Sequence, residues 1–424
     1  MVEPNMSVLG DYEFWYNLGN EQFDLGLTED AIASYEHAIA IKPDFAEAWF
    51  HLGNIFEEEE DTETAINYYE QAVTIKPNFH EAWHKYGNLL RSLERDDEAV
   101  ICFDQALAVK PDAYIIWLER GHALRNLERY DEAIDSYNHI VNLQSQSIET
   151  SFNYPWHWFH DAWRSQINLL SLRERYEEAL AKCNQKLEVF PNDISNWYQR
   201  GDLLCKLKRY QEALENYEKV MQLHPGDYLA WHYRGDVLGY LGDVKSALAS
   251  YDKSIEMYSG YYRTWYNRGC ILYSLGQYQE ALTNYNKTLD IYPEYEEAWC
   301  QRGLIMHYLG QYEAAIHSYQ KALEIYPNFI EALTNLGNTL HTLGRYQEAI
   351  ENYHQVIELK PDDYHAWKNQ GISQTALNLW EDALFSYNKA FEINPSDREV
   401  WKYRSDVLFA LKRHEEDNKI LKRL

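Results

Sequence analysis

Cysteine is scarce in this chain: five residues in 424, Cys102, Cys183, Cys205, Cys270 and Cys300, with no C-x-x-C among them. Five thiols cannot staple a chain this long, which excludes a disulfide scaffold and favours a reducing compartment. Long apolar runs are missing too. No uninterrupted stretch approaches the ~20 residues that span a bilayer, and the start, MVEPNMSVLG, has neither the basic nor the apolar region of a secretory leader. A soluble, cytoplasmic protein is expected. Positive charge is also short: 39 Lys plus Arg stand against 67 Asp plus Glu, a net of −28. A surface of that sign repels nucleic-acid phosphates and anionic membranes, so neither is an expected partner. Finally, G-x-x-x-x-G-K-[ST], G-x-G-x-x-G and G-x-S-x-G are all absent. Catalysis has no visible seat, and no cofactor or metal is expected.

What the chain has instead is tryptophan at a fixed interval. Trp15, Trp49, Trp83 and Trp117 are 34 residues apart, as are Trp163, Trp197, Trp231, Trp265 and Trp299, and then Trp367 and Trp401, with Leu333 in the one vacancy. A period of this size means stacked units that share a core with their neighbours, so length no longer counts domains. Numbering each unit from three residues before the tryptophan, eleven repeats begin at Tyr12, Ala46, His80, Tyr114, His160, Ile194, Tyr228, Tyr262, Glu296, Ile330 and Tyr364, and a partial twelfth begins at Arg398. Position 8 is glycine in ten of the eleven, Ile167 being the exception, and position 20 is alanine in all, from Ala31 to Ala383. Small residues at two fixed points mark where two helices touch. Apolar residues recur at i, i+3, i+4 and i+7 and the pattern breaks midway, as at Leu275-Gly276-Gln277, which predicts two short antiparallel helices, A and B, joined by a tight turn. Of eleven prolines, nine stand at position 32, among them Pro43, Pro77, Pro191 and Pro361, where a missing N–H and a locked φ end helix B.

The pattern W-x-x-L-G, then Ala, then an aromatic, then Pro resembles the tetratricopeptide repeat. The resemblance covers residues 12 to 424 apart from one insertion. It implies an all-α solenoid, a right-handed superhelix of antiparallel helix pairs, with helices A lining a concave groove. The arginines at position 7, Arg120, Arg200, Arg234, Arg268 and Arg302, look like those of bacterial arrays, and acids on helix B such as Glu218 and Asp252 are expected to pair with them. Lys412 to Leu424 reads as a polar cap on the last repeat, with Ile420, Leu421 and Leu424 available to pack.

In the family, positions 2, 5, 9, 12 and 13 of helix A face the ligand. Here they supply Glu13, Glu47 and Glu81 at position 2, Glu57 at position 12, and Asp24 and Glu58 at position 13. Residues 12 to 113 hold 22 Asp plus Glu against 6 Lys plus Arg, more than half of the net charge in a quarter of the length. Arg91, Arg125 and Arg164 follow, and later units offer Tyr198, His232, Tyr240, Tyr266, Tyr273, His307, Tyr308 and His341. Position 9 repeats asparagine in Asn20, Asn54, Asn88, Asn168 and Asn338, a ladder that resembles the superhelix of O-GlcNAc transferases, though no transferase domain follows. The family's carboxylate clamp for chaperone tails needs Lys or Arg at positions 5 and 9 grouped with Asn in adjacent repeats. Arg164 with Asn168 is the nearest approach, so that partner class is not implied.

Between the fourth and fifth units the phase slips by twelve residues, 148–159, reading IETSFNYPWHWF. Trp156, Trp158 and Phe159 put large apolar surface into an expected loop, either to fill an imperfect helix junction or to grip a ligand. His80-Glu81-Ala82-Trp83-His84 satisfies H-E-x-x-H, but it is positions 1 to 5 of repeat three, aligned with Ala46-Glu47-Ala48-Trp49-Phe50, and no third ligand is indicated. His307 and His341, one repeat apart, are an incomplete metal site and are expected to make polar contacts.

The segments are therefore 1–11, a first array of four repeats over 12–147, the insertion 148–159, a second array of seven over 160–397, and 398–424. The expected function is a non-enzymatic adaptor whose groove binds a basic, extended protein segment. The alternative is the sensor or regulatory half of an enzyme system, either fused to the catalyst or acting on a separate one, and the polar C-terminal cap favours a free-standing array. Oligomeric state is not readable from the sequence.

Overall fold

The computed structural model of the protein describes residues 11–147 and 156–411, apart from the side chains of 143–147 and 156. The N-terminal segment before Asp11, residues 148–155 and the expected cap from Lys412 onward lie outside the described residues. Among the described residues there are 23 α-helices and no strand. Helices A start at Tyr12, Ala46, His80, Tyr114, Ile194, Tyr228, Tyr262, Glu296, Ile330, Tyr364 and Arg398, which are the first positions expected from the period. Repeat five departs from it. Its helix A runs Trp156–Leu172, so Trp156, Trp158 and Phe159 belong to a helix rather than to a loop. Phe159 is buried and Trp158 packs beside it against the core, because an extra helical turn turns these rings onto the apolar side.

The chain divides into two units, Met1–Arg209 and Tyr210–Leu424, parted between the two helices of repeat six. Within each unit the same three devices recur. First, the position-8 glycine lies against the position-24 aromatic of helix B. A Cβ at Gly53 would stand 2.7 Å from the Tyr69 ring, and one at Gly303 2.7 Å from that of Tyr319, so only hydrogen fits. Repeat five lacks this glycine and also lacks the ring: Ile167 and Cys183, both buried in one core cluster, take the places of Gly and Tyr. Volume has been moved from one helix to its partner.

Second, the tryptophan indole reaches back to the end of the previous repeat. Trp49 donates to the Pro43 carbonyl at 3.0 Å, Trp117 to that of Pro111 at 2.8 Å, and Trp299 to that of Pro293 at 2.8 Å. Trp265 does the same to Ser259 at 2.9 Å, so a carbonyl suffices and proline itself is not required. Third, the position-7 arginine bridges two helices B. Arg120 pairs with Asp104 of the preceding repeat at 2.6 Å and donates to Ser136 of its own at 2.7 Å. Arg268 pairs with Asp252 at 2.8 Å and Arg234 with Glu218 at 3.7 Å, as expected from the sequence. The guanidiniums of Arg120, Arg234 and Arg302 also lie over the tryptophans Trp117, Trp231 and Trp299 at 5.4 to 5.7 Å.

Each A-to-B turn closes with one residue in the left-handed region: Gly26, Glu60, Glu94, Glu128, Glu174 and Lys208 in the first unit, and Gly242, Gly276, Gly310, Gly344 and Asn378 in the second. The N–H of the residue after it returns to the helix, as from Leu27 to the Gln22 carbonyl at 2.9 Å, which is the Schellman closure.

Candidate protein-binding face

Neighbouring helices A touch each other in both units: those of repeats three, four and five in the first, and those of repeats nine, ten and eleven in the second. No two helices B are in comparable contact among the described residues. Helices A are therefore on the crowded inner side of each unit, and positions 2, 5, 9, 12 and 13 lie along it.

The acids of repeats one to three are not equivalent. Glu47 pairs with Lys76 at 2.7 Å; burial pushes its carboxyl up, but the lysine's hydrogen bond and charge outweigh this and hold it below the usual range. Glu57 pairs with Lys85 at 3.0 Å and accepts from the Tyr69 hydroxyl at 2.6 Å. Glu13 accepts from Tyr12 at 2.9 Å, and Glu81 lies 2.8 Å from the His80 ring nitrogen, both exposed. Asp24 and Glu58 are exposed and make no ion pair among the described residues. Two of the expected acids are thus neutralised by lysines from outside their own helix, Lys76 from the end of the same repeat and Lys85 from the next.

The asparagine ladder is also half engaged. The position-24 tyrosine donates to it: Tyr35 to Asn20 at 2.7 Å and Tyr353 to Asn338 at 2.8 Å, while Tyr69 shares its one proton between Asn54 at 2.8 Å and Glu57 at 2.6 Å. With the carbonyl taken, the amide N–H groups are what these side chains can offer a ligand. Asn168 accepts from Gln199 at 3.1 Å, and the Asn88 amide nitrogen meets His84 at 3.1 Å. Burial first, then the neighbouring Lys85, His80 and Arg91, push His84 down to about 4. Among the described residues no group of three or more His, Cys, Asp or Glu is placed to hold a metal.

Between repeats four and five a cavity of about 390 Å³ opens, lined by His122, Arg125, Asp161, Arg164, Ser165, Asn168, Leu169 and Leu172. Arg125 is exposed and makes no hydrogen bond or ion pair among the described residues. Arg164 pairs with Asp161 at 2.7 Å at the rim, and Arg91, one repeat earlier at the position of Arg125, pairs with the half-buried Glu119 at 2.6 Å. His122 sits among these arginines. Its imidazole is pushed down to about 4, first by burial, then by Arg125 and Arg91, against a partial rise from Asp161.

The equivalent place between repeats ten and eleven holds a cavity of about 210 Å³ lined by Asn338, His341, Thr342, Tyr353, Asn369 and Ile372. Here position 12 is His341, held by the Ser373 hydroxyl at 2.9 Å, and one repeat earlier His307 is held by Thr339 at 2.9 Å. Burial lowers both imidazoles, so they are neutral near pH 7. Tyrosines edge this face: Tyr240, 65% exposed, stacks on Tyr210 at 5.2 Å, and Tyr308, 58% exposed, stacks on Tyr278 at 5.9 Å. Tyr273 lies half-buried beside Tyr278 and Tyr308, pushed up to about 12 by burial and by the Tyr308 contact. Tyr266 and, in the first unit, Tyr198 are half-buried.

His232 corrects the sequence reading. It occupies position 5 but is 2% exposed, bonded to Thr264 at 3.1 Å and 3.4 Å from Asp236, so it braces repeat seven against repeat eight and presents nothing to a ligand. Sequence reasoning also missed Glu119, His122 and Ser165. Their signal was spatial: Glu119 and His122 face Arg91 from the preceding helix A, Ser165 faces the Tyr137 hydroxyl of the preceding repeat, and one repeat taken alone contains no trace of that.

Tetratricopeptide repeat family models match residues 46–79, 262–295 and 330–363, residues 193–260, residues 84–147, and residues 19–59 and 303–344, together more than half of the chain. The chain is a tetratricopeptide repeat protein. A model of the protein prenyltransferase alpha subunit repeat also matches residues 176–207, one repeat's length of the array. No curated protein matches the sequence. Among solved structures, the tetratricopeptide array is similar to Naa15/Naa10 bound to HypK-THB, at 14% identity over 96% of this chain and 67% of that one with a TM-score of 0.50, a likeness of fold. It is also similar to YrrB, described as a TPR protein with an unusual peptide-binding site, at 26% identity over 46% and 97% with a TM-score of 0.41. Cut9-Hcn1 matches at 13% identity over 95% and 98% with a TM-score of 0.43. The tetratricopeptide array is of the protein-interaction scaffold class, and no helix among the described residues is long and apolar enough to cross a membrane.

Proposed function

We propose that the exposed face of helices A binds an extended segment of a partner protein, and that this segment is basic where it meets repeats one to three. The observation that carries this reading is the set of exposed carboxylates there that no lysine or arginine pairs with among the described residues, Asp24, Glu58, Glu13 and Glu81. Negative charge on a recessed face steers a cation inward and raises its encounter rate. The amide N–H groups of Asn20 and Asn54, with carbonyls already held by Tyr35 and Tyr69, suit the carbonyls of an extended backbone. The protein acts as a non-enzymatic adaptor, binding neither nucleic acid nor membrane.

The test is an immobilised array of peptides of varied charge probed with the full chain, wild type against Asp24→Asn combined with Glu58→Gln. Enrichment of Lys and Arg that fades in the variant, with affinity falling as salt rises, supports the reading. Enrichment indifferent to both, or affinity that grows with salt, overturns it.

A further inference from the structure

His307 and His341 occupy position 12 of repeats nine and ten, and the bonds behind them fix which ring nitrogen carries the proton. The Thr339 hydroxyl stands 2.8 Å from the Asn335 carbonyl and the Ser373 hydroxyl 3.1 Å from the Asn369 carbonyl. A carbonyl only accepts, so each hydroxyl gives its one proton there and must itself accept from the Nδ1–H of the histidine one repeat back, at 2.9 Å in both cases. The Tyr319 hydroxyl, which also reaches Thr339, finds the second lone pair of that oxygen. Thr339 and Ser373 are both 0% exposed, so these anchors belong to the core. Each neutral imidazole therefore turns a bare lone pair on Nε2 outward. Neither Nε2 has a partner among the described residues, and both rings are half-buried. Tyr308, Tyr312 and Tyr319 surround His307, and Tyr346 and Tyr353 surround His341. Burial is the one cause that shifts either imidazole, with no carboxylate or cation contributing.

Two identical acceptors one repeat apart set a length. Helices A of repeats nine and ten touch, and helices in contact lie about 8–10 Å apart. A polyproline II segment turns once in three residues and rises about 9.3 Å in doing so, so its N–H groups i and i+3 face one way at that interval. A β-strand presents same-facing groups about 7 or about 14 Å apart and fits neither way. We infer that repeats nine and ten hold an uncharged, proline-rich segment of a partner protein in the polyproline II conformation, its N–H groups i and i+3 donating to Nε2 of His307 and His341. The two residues between need no N–H and can both be proline. Tyr308, 58% exposed and stacked on Tyr278, offers a ring for them to pack on, and the cavity of about 210 Å³ beside His341 adds Ile372. Protonation turns either acceptor into a donor, so acidification releases the segment. The inference rests on the reading of helices A as a protein-binding face and concerns the second unit, whereas the basic preference concerns the first.

The experiment titrates the full chain with the capped peptide Pro-Pro-Leu-Pro-Pro-Leu-Pro-Pro, whose two leucines carry its backbone N–H groups at the required spacing, and with an isomer whose leucines are two apart. Wild type is compared with His307→Asn and His341→Asn, in which the amide nitrogen replaces Nδ1 against Thr339 or Ser373 and nothing stands at Nε2. Binding of the first peptide over the isomer is expected, weakened about fivefold by either variant, the loss of one neutral hydrogen bond. N-methylation of either leucine should weaken wild type equally, and since it leaves the protein untouched, a folding defect in a variant cannot imitate it. Affinity should fall from about pH 7 to about pH 5 in wild type and stay level in the double variant. No binding of the spaced peptide, equal binding of the isomer, or indifference to N-methylation overturns the inference. A Lys and Arg preference on the charged-peptide array that survives in that case leaves the adaptor reading standing, and its absence with the spaced peptide still bound sinks the basic preference alone.

Discussion

The junction of repeats four and five and the junction of repeats ten and eleven are built on one plan and finished differently. Each has a cavity bounded by positions 9 and 12 of one helix A and by positions 6 or 9 of the next. At the first, position 12 is Arg125, exposed and unpaired among the described residues; at the second it is His341, neutral and tied to Ser373. The core beneath differs too. Repeat eleven uses Gly371 against Tyr387, where a Cβ would stand 2.7 Å from the ring, while repeat five uses Ile167 with Cys183. The period fixes where a side chain sits, and neighbours from adjacent repeats then decide what it can do.

The contrast can be broken most severely through the core. Ile167→Gly empties a buried side chain and puts glycine into a helix, at an expected cost of about 3–5 kcal/mol. In a stacked array this loss is local, so hydrogen exchange should rise in the two helices of repeat five first. Adding Cys183→Tyr should restore protection, because it rebuilds the Gly–Tyr pairing of repeat eleven; failure of that rescue would mean the two residues do not compensate.

Next in size is pH. His122 is pushed from about 6.5 to about 4, a depressed value for a base, so its neutral form is favoured in the fold. That stabilisation is complete above about pH 6.5 and is lost as pH falls from about 6.5 to about 4, where the unfolded chain binds the proton first; it amounts to at most about 3 kcal/mol. His122→Asn should lessen the slope of a Tm-against-pH curve over this range and leave the parts due to His84, also pushed down to about 4, and to His341, whose imidazole is lowered by burial alone.

Gly371→Ala should cost about 1–3 kcal/mol by driving a methyl into the Tyr387 ring, read as a fall in Tm. The smallest effect separates the two turns. Glu174 and Asn378 both hold positive φ, 57° and 59°, but asparagine tolerates this region better than glutamate. Glu174→Gly is therefore expected to stabilise by up to about 1 kcal/mol and Asn378→Gly by less, because glycine's greater freedom in the unfolded chain offsets part of either gain.

Much of this architecture was legible beforehand. Helix starts from Tyr12 to Arg398 follow the tryptophan count, and the pairing of Arg268 with Asp252 and of Arg234 with Glu218 was readable from position numbers. The helix from Trp156 was not, because Pro155 and three aromatics read as a loop, whereas proline is well accepted just ahead of a helix. The state of the polar side chains was less legible still. Glu47 meets Lys76 from 29 residues away, Glu57 meets Lys85 from 28, and His341 meets Ser373 from 32.

The sequence by itself determined the period, the helix pairs, the turns and the row each side chain occupies, because these follow from local propensity and from the volumes at positions 4, 8, 20 and 32. Only the tertiary structure decided which members of a row stay free. Residues about thirty apart become neighbours once a helix pair closes, as for Glu47 and Lys76, or repeats stack, as for Glu57 and Lys85, and whether an acid meets a lysine is settled at that contact.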